Sequence, residues 1–303
     1  MTDPEGKSNP TASSTTQRGF FAKAGSAPSL SRLLEHVDGI AGGRDTDSIP
    51  TGFPSVDRSL GGGLRRGDLT VLGGDVGSGK SALALAIALR AAAAHSVVFL
   101  TAEMTPERVL ERVLAMEGRA RVDDLRRGTL DDIARANAGA AVVRLRDGLP
   151  RMGRLVAGEA VSSVSPWIED GDARAGLVVI DSIQAMAVGD RATAEEEART
   201  VRALKALALE KSVAILATAQ LPQLSPRADR RPQLDDFGAL GAVKHHADIV
   251  LALYREAMYD TARDVEGATE LLVRKNRHGN VGYVDLYYYA QWMRFEDMLD
   301  PDR

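Results

Sequence analysis

One octapeptide constrains this chain more than any other feature, because residues 74–81 read Gly-Asp-Val-Gly-Ser-Gly-Lys-Ser. They fit the pattern G-x-x-x-x-G-K-[ST], a glycine-rich turn whose backbone N–H groups surround the phosphates of a nucleotide. The apolar run Leu69–Leu72 predicts a buried strand before the turn, and the alanine-rich residues 82–94 predict a helix after it. Strand, turn and helix therefore follow in the order that a nucleotide-binding loop requires.

Each position of this loop has an expected role. Lys80 is expected to reach the β- and γ-phosphates of ATP, and the Ser81 hydroxyl is expected to bind Mg²⁺. The helix that begins here adds the partial positive charge of its N-terminus. The predicted nucleotide-binding residues are Gly74, Asp75, Val76, Gly77, Ser78, Gly79, Lys80 and Ser81.

Hydrolysis would need further groups at the ends of other strands. Asp181 follows the apolar run Leu177–Ile180 and is a predicted Mg²⁺ ligand. Glu103 follows a second such strand and is either a base for the attacking water or a solvated carboxylate. Gln220 ends a third strand and is either a γ-phosphate sensor or an ordinary exposed glutamine.

Composition narrows the class of protein. The 303 residues include no cysteine, which excludes disulfides and thiolate metal sites and fits a cytoplasmic protein. No apolar run is long enough to span a membrane, so no membrane association is expected. The net charge of −4 argues against a generally basic nucleic-acid binder but permits a local basic channel.

Three segments are predicted along the chain. Residues 1–28 are polar and expected to be disordered, and residues 29–49 form a linker that contains a short helix with an apolar stripe from Leu30 to Val37. That helix packs either on its own domain or on a neighbouring subunit. Residues 50–303 alternate strands and helices, which predicts an α/β domain with a mainly parallel twisted sheet flanked by helices and a C-terminal antiparallel meander.

The predicted strands are 69–72, 96–100, 155–158, 176–180, 213–218, 249–253, 270–274, 281–288 and 291–295. The predicted helices are 81–94, 105–116, 130–146 and 194–209. Six of the 14 aromatic residues lie between Tyr283 and Phe295, where they either pack the meander or form a platform for nucleic-acid bases.

Several motifs, in order, resemble the RecA-like motor domain of DnaB-type replicative helicases. The resemblance covers about residues 29–298 and implies a RecA-like P-loop NTPase fold. The matching motifs are the loop at 74–81 and the segments 51–57, 61–68, 101–105, 181–184, 219–221, 231–236, 254–255, 275–279 and 294–296.

The resemblance implies roles that the residues alone leave open. It makes Glu103 the catalytic base and Gln220 the γ-phosphate sensor, and it identifies Lys275 and Arg277 as cations that reach the neighbouring subunit's nucleotide. It further implies a hexameric ring, an ATP-dependent helicase or translocase activity on single-stranded DNA, and a possible replication or loading partner. The helix Leu30–Val37 resembles the linker helix that docks on the adjacent protomer.

The sequence departs from the family pattern at two places. The family's N-terminal helical domain is expected to be absent. The DNA-facing loop that usually reads Arg-Glu-Ser-Gly is here Gly238-Ala239-Leu240-Gly241, which removes its phosphate contacts. The cations nearby that could replace them are Lys244, His245, His246, Arg227, Arg230 and Arg231.

Two other functions remain open on this pattern. One is a RadA/RecA-like recombination or repair ATPase without processive unwinding, although the cysteine zinc motif of RadA-like proteins is missing. The other is an assembly module that uses ATP mainly to hold subunits together.

Overall fold

A computed structural model describes residues 47–146, 148–156, 158, 161–170, 174–187, 193–221, 228–259 and 266–298, together with Leu30, Leu34 and Asp38. The chain divides into two units at residues 45 and 46. In the first unit, Leu30, Leu34 and Asp38 are helical, and the predicted tail 1–28 and the other residues of the predicted linker helix lie outside the described residues. In the second unit, Arg227 also lies outside them.

The strands of the second unit are β1 Ser48–Ile49, β2 Leu64–Arg65, β3 Leu69–Gly74, β4 Val97–Thr101, β5 Arg151–Arg154, β6 Leu177–Asp181, β7 Ala214–Gln220, β8 Ile249–Tyr254, β9 Ala268–Asn276, β10 Gly282–Tyr289 and β11 Arg294–Asp297. Strands β3 to β11 form one nine-stranded sheet in the order β11-β10-β9-β8-β3-β7-β6-β4-β5. The six strands from β8 to β5 in this order run parallel, and β9, β10 and β11 add to the β8 side as antiparallel neighbours. The predicted mainly parallel sheet with an antiparallel C-terminal meander is therefore confirmed. Strands β1 and β2 pair separately with each other.

Helices cover both faces of this sheet, because its strands are apolar on both sides. Along β6, Leu177 and Val179 belong to one apolar cluster while Val178 and Ile180 belong to the other. The helices are α1 Pro54–Leu60, α2 Lys80–Ala91, α3 Pro106–Gly118, α4 Val122–Arg127, α5 Asp132–Leu145, α6 Ser165–Glu169, α7 Ile183–Met186, α8 Ala194–Lys211 and α9 Ala242–His246. Helices α2 and α3 pack in the first cluster, and α8 and α9 pack in the second.

Two predicted strands were wrong in position. The strand expected at 155–158 is instead β5, Arg151–Arg154, which pairs with β4 at the sheet edge. An edge strand needs little apolar sequence of its own, and this one is fastened by Arg151, which donates to the Trp167 carbonyl at 2.9 Å. The apolar pattern of Leu155 reflects burial just beyond the strand end.

The strand expected at 291–295 begins later, at Arg294. Residues Ala290–Trp292 form a 3₁₀ turn, because Tyr289 pairs directly with Arg294 and the chain must reverse between them. The aromatic residues here favour packing over a base platform: Tyr288 is buried and stacks on Phe295 with ring centroids 4.4 Å apart.

The sheet has two functional edges as a result of this topology. The register aligns Gly74 with Gln220 and Thr101 with Asp181, so the carboxyl ends of β3, β7, β4 and β6 meet at one edge. At the other edge, Asn276 at the end of β9 pairs with Ile249 at the start of β8. We call these the carboxyl edge and the amino edge.

Candidate active site

The predicted phosphate loop lies at the carboxyl edge, between β3 and α2. Gly77 and Gly79 have φ angles of +79° and +103°, in the left-handed region that glycine tolerates best. A Cβ atom at Gly74 would lie 2.6 Å from Ser78 Oγ, so the loop also needs a residue without a side chain there. The turn is therefore shaped by its glycines into the cradle that the sequence predicts.

Lys80 is folded back across this loop. Its ammonium donates to the Asp75 carbonyl at 2.9 Å. Burial lowers the pKa of Lys80, and the carboxylates of Asp181, Asp75 and Glu103 oppose that shift. The three carboxylates thus favour the charged form of Lys80, and the Asp75 carbonyl holds its ammonium against the loop.

Asp181 lies buried at the end of β6 and is the centre of the site. One carboxylate oxygen accepts hydrogen bonds from Thr218 Oγ1 at 2.6 Å and from Ser81 Oγ at 3.0 Å. Its other oxygen, Oδ2, is buried and has no hydrogen-bond partner among the described residues. Burial raises the pKa of Asp181, and the bonds from Thr218 and Ser81 counteract this.

These atoms fit a hydrated Mg²⁺ ion. An orphaned buried carboxylate oxygen beside a serine hydroxyl is a hard-oxygen environment of the kind that Mg²⁺ prefers. Ser81 and Asp181, the two predicted metal ligands, are thus brought within hydrogen-bond distance of each other.

Glu103 is also at this edge, two residues beyond the end of β4. Its Oε1 accepts a hydrogen bond from Ser182 Oγ at 2.7 Å, and its backbone N–H donates to Thr101 Oγ1 at 3.1 Å. Glu103 is exposed, whereas Asp181 is buried. The two acidic groups of the site therefore differ in environment, one open to solvent and one closed.

Gln220 ends β7 with its side chain exposed. Its backbone is bracketed by one side chain, since Gln184 Oε1 accepts from the Gln220 N–H at 3.0 Å and Gln184 Nε2 donates to the Gln220 carbonyl at 3.3 Å. This bracket fixes the strand end and leaves the Gln220 amide open to solvent.

The sequence reasoning missed several residues that hold these groups. Thr218, Ser182 and Gln184 orient Asp181, Glu103 and Gln220 respectively. Ser182 and Gln184 belong to the Asp-Ser-Ile-Gln motif, so their proximity to Asp181 was a signal that could have identified them.

A second missed pair fastens the loop from the side of β8. Arg255 donates to the Gly77 carbonyl at 3.2 Å, and Tyr259 Oη donates to Asp75 Oδ2 at 3.0 Å. Burial and the bond to Asp75 raise the pKa of Tyr259 to about 12, so its phenol is a stable donor at neutral pH. Arg255 stands in the Leu-Tyr-Arg motif, whereas nothing in the sequence pattern singled out Tyr259.

The structure does not bring Lys275 and Arg277 to this site. Both lie at the amino edge, where β9 ends beside the start of β8. Leu253 of β8 pairs with Gly74 of the phosphate loop. Four residue steps separate Ile249 from Leu253, which corresponds to roughly 13 Å at about 3.3 Å per residue. Neither side chain approaches the phosphate loop of its own subunit.

The segment expected to face DNA has an unusual backbone. Gly238, Ala239, Leu240 and Gly241 all have positive φ angles, between +48° and +76°. Leu240 is 66% exposed. Ala239 and Leu240 are consecutive non-glycine residues with left-handed φ angles, so the backbone is strained there. Backbone strain of this kind concentrates at functional segments.

Three of the cations around this segment contact other groups of the protein. Lys244 donates to Asp235 at 2.6 Å, and Arg231 forms a two-point ion pair with Glu270. Arg230 lies over the ring of Tyr259 at 5.5 Å from its centroid. Ion pairs and a ring contact therefore already engage three of the cations that could replace the lost phosphate contacts.

A protein-family model described as "DnaB-like helicase C terminal domain" matches residues 48–297. The chain belongs to the DnaB-like helicase C-terminal domain family. Its resemblance to this family is thereby confirmed.

Curated relatives agree with this assignment. The chain is 31% identical over 277 residues to the replicative DNA helicase DnaB of Leifsonia xyli subsp. xyli, covering 87% of this chain and 58% of that protein. It is 30% identical over 271 residues to the replicative DNA helicase DnaC of Bacillus subtilis, covering 84% of this chain and 57% of that protein. The chain thus spans somewhat more than half the length of these relatives.

Solved structures share the fold. One of them, described as an ATPase domain, superposes with a TM-score of 0.79 at 23% identity, covering 90% of this chain and 99% of that chain. A DnaB-like replicative helicase studied with primase superposes with a TM-score of 0.78 at 23% identity, covering 89% and 67% of the two chains. The RecA-like P-loop architecture expected from the sequence is confirmed. Among the described helices, none combines the length and apolar character needed to cross a membrane.

Proposed function

We propose that this protein is an ATP-dependent DNA helicase or translocase of the DnaB type. It hydrolyses ATP with Mg²⁺ at the interfaces between subunits of a ring, which we propose to be hexameric, and it acts on single-stranded DNA in the cytoplasm. Membership of the DnaB-like C-terminal domain family supports the proposal.

One observation carries it: a single sheet separates the groups of the site into two sets. Lys80, Ser81, Asp181, Glu103 and Gln220 lie together at the carboxyl edge, and Lys275 and Arg277 lie at the amino edge. A subunit arranged in this way holds a nucleotide with one edge and offers cations with the other, so a complete site needs two subunits.

We assign the following roles at the carboxyl edge. The loop N–H groups and Lys80 bind the phosphates. Ser81 and Asp181 would hold a hydrated Mg²⁺ ion, which would supply positive charge to the phosphate oxygens. Glu103 accepts a proton from the attacking water, and its exposed carboxylate, oriented by Ser182, suits that step. Gln220 contacts the γ-phosphate.

At the amino edge, Lys275 and Arg277 act on the neighbouring subunit's nucleotide. The charge that develops on the transferred phosphoryl group is stabilised by a guanidinium supplied from outside the site. Hydrolysis in this arrangement depends on assembly.

The strained segment 238–241 is proposed to meet the DNA backbone. It lacks the arginine of the family pattern, so its contacts would come from backbone N–H groups and from His245, which is exposed beyond it. The salt dependence of DNA binding should be weak, because Lys244 and Arg231 are already in ion pairs and can replace few of the counterions bound to DNA.

A replication or loading protein is a proposed partner.

The proposal is tested by ATPase rates with and without single-stranded DNA, measured for the wild type, Lys80→Ala and Arg277→Ala. Lys211→Ala is a matched control, because this lysine is the last residue of α8 and pairs with Glu169 of α6. We expect DNA to stimulate the wild type and the control, and both site variants to lose turnover. Turnover without any response to DNA would reject the motor function, and an absence of turnover would leave an assembly module.

A further inference from the structure

A buried carboxylate lies beside the two cations of the amino edge. Asp248 directly precedes β8 and is only 1% exposed. Its Oδ2 accepts from Lys205 Nζ at 2.6 Å and from the Leu69 N–H at 2.9 Å. Its Oδ1 lies 3.3 Å from Arg277 Nε.

Lys275 is fastened to the same segment of chain. Its ammonium donates to the carbonyls of Lys244 at 2.8 Å and of Ala247 at 2.5 Å, at the end of α9. The backbone N–H of Arg277 donates to the Asp248 carbonyl at 2.9 Å. Residues 244–248 therefore hold both cations in place.

We propose that Asp248 is a positioning residue that presents Arg277 to the neighbouring subunit's nucleotide. This inference rests on the proposed function. Since the Arg277 atom paired with Asp248 is Nε, at 3.3 Å, the two Nη groups are the ones left to face a phosphate, and 52% of that side chain is exposed.

The surroundings of Asp248 make it a rigid anchor. Lys205, which approaches from α8, also donates to the Gly67 carbonyl at 2.8 Å, so it is fixed on two sides. A buried carboxylate without such partners would be costly, and with them it becomes a fixed point. An arginine held at Nε loses less conformational freedom when it meets its target, which favours the productive geometry.

The first test is Asp248→Asn, which keeps the shape and removes the charge. We expect the DNA-stimulated ATPase kcat to fall by about tenfold to a hundredfold, the scale expected when a reacting group is displaced by about 1 Å. Nucleotide Kd should stay unchanged, because the phosphate loop lies at the opposite edge. In an Arg277→Ala background the substitution should cost no further activity. Additive losses would overturn the proposal, since they indicate a general structural role.

Asp68→Asn is the matched control from the same cluster. Asp68 also faces Lys205, at 3.7 Å, but its described ion pairs are with Lys205 and His278 and involve neither cation of the amino edge. We expect its kcat to stay within about twofold of the wild type, well inside the effect expected for a displaced reacting group. An equal loss in both variants would overturn a specific role for Asp248.

Arg277→Lys tests the same idea without touching the buried cluster, in case Asp248→Asn does not fold. A lysine keeps the charge but replaces Nε and the planar fork with a single ammonium, so it cannot pair with Asp248 through one nitrogen and present two others to a phosphate. We expect a loss of at least about tenfold in kcat, comparable to Asp248→Asn. Full activity of Arg277→Lys would overturn the proposal.

Mixed assemblies separate this inference from the proposed function. Asp248→Asn subunits keep a normal phosphate loop, and Lys80→Ala subunits keep normal cations. In an equal mixture about a quarter of head-to-tail interfaces combine the two intact halves, so activity should exceed that of either variant alone. If the Arg277→Ala and Lys80→Ala mixture gains activity but the Asp248→Asn mixture does not, Asp248 acts on the nucleotide bound by its own subunit and the inference fails. If neither mixture gains activity, the shared site fails and the proposed function fails with it.

Discussion

The two edges of one sheet are built in opposite ways. At the carboxyl edge, functional groups bind one another: Ser81 and Thr218 donate to Asp181, and Ser182 donates to Glu103. At the amino edge, Arg277 is anchored at Nε by a buried carboxylate while more than half of its side chain is exposed. The first arrangement joins polar groups within the subunit, and the second leaves a cation facing outward. Under the proposed function, these two edges are the complementary halves of a site that two neighbouring subunits share.

The largest effect is expected when the Arg277 side chain is removed from the amino edge. Arg277→Ala should lower kcat for ATP hydrolysis by about 10³-fold, at the lower end of the contribution of an arginine supplied in trans. Nucleotide Kd should change little, because the loop is at the other edge.

The control for this prediction is Arg126→Ala, another exposed arginine, whose ion pair is with Glu111. Its kcat should match the wild type. A large loss of nucleotide affinity in Arg277→Ala would contradict the placing of nucleotide binding at the carboxyl edge alone.

The next effect concerns the carboxyl edge. Glu103→Gln should reduce hydrolysis by about 10²- to 10³-fold, because it removes the acceptor for the proton of water while keeping the bond from Ser182. Single-turnover hydrolysis measures this, with Glu107→Gln, an exposed neighbour on α3, as the control. Nucleotide binding should persist in both variants, and wild-type turnover in Glu103→Gln would remove Glu103 from the mechanism.

A smaller effect is expected for Thr218→Val, which deletes the shorter of the two bonds to Asp181. Loss of a residue that orients a metal ligand costs about 10- to 100-fold in metal affinity, so the Mg²⁺ concentration for half-maximal activity should rise. Thr200→Val, at a buried position on α8, is the control. An unchanged Mg²⁺ dependence would contradict the assignment of Asp181 as a metal ligand.

The smallest effect is on stability and pH. Tyr259→Phe removes the bond to Asp75 and should lower the free energy of unfolding by about 1 kcal/mol at pH 7. The raised pKa of Tyr259, about 12, means that this contribution is complete below about pH 10, the pKa of an unperturbed tyrosine, and is lost as the pH rises towards 12. Urea unfolding at pH 7 and near pH 11 measures the difference, with the exposed Tyr283→Phe as the control. A difference that grows with pH would contradict this account.

The sequence predicts the structure best where the functional residues are consecutive or directly follow an unbroken apolar strand. The loop at 74–81 and the apolar strand before Asp181 identify the carboxyl edge, because buried parallel strands read as unbroken aliphatic runs. The edge strand β5 was misplaced, since Arg151–Arg154 gains its stability from side-chain bonds that leave no apolar pattern.

Contacts between residues distant along the chain could not be predicted. Tyr259 meets Asp75 across 184 residues, and Lys205 meets Asp248 from a separate helix. Neither pair has a local signature, because each depends on which strands become neighbours in the sheet.

The most direct test of the account is the ATPase rate of mixed Lys80→Ala and Arg277→Ala subunits. Each variant alone should be nearly inactive with single-stranded DNA present. An equal mixture should recover a substantial fraction of the wild-type rate, because some interfaces pair an intact phosphate loop with an intact Arg277. A mixture no more active than the two separate variants would contradict a site shared between the two edges of neighbouring subunits.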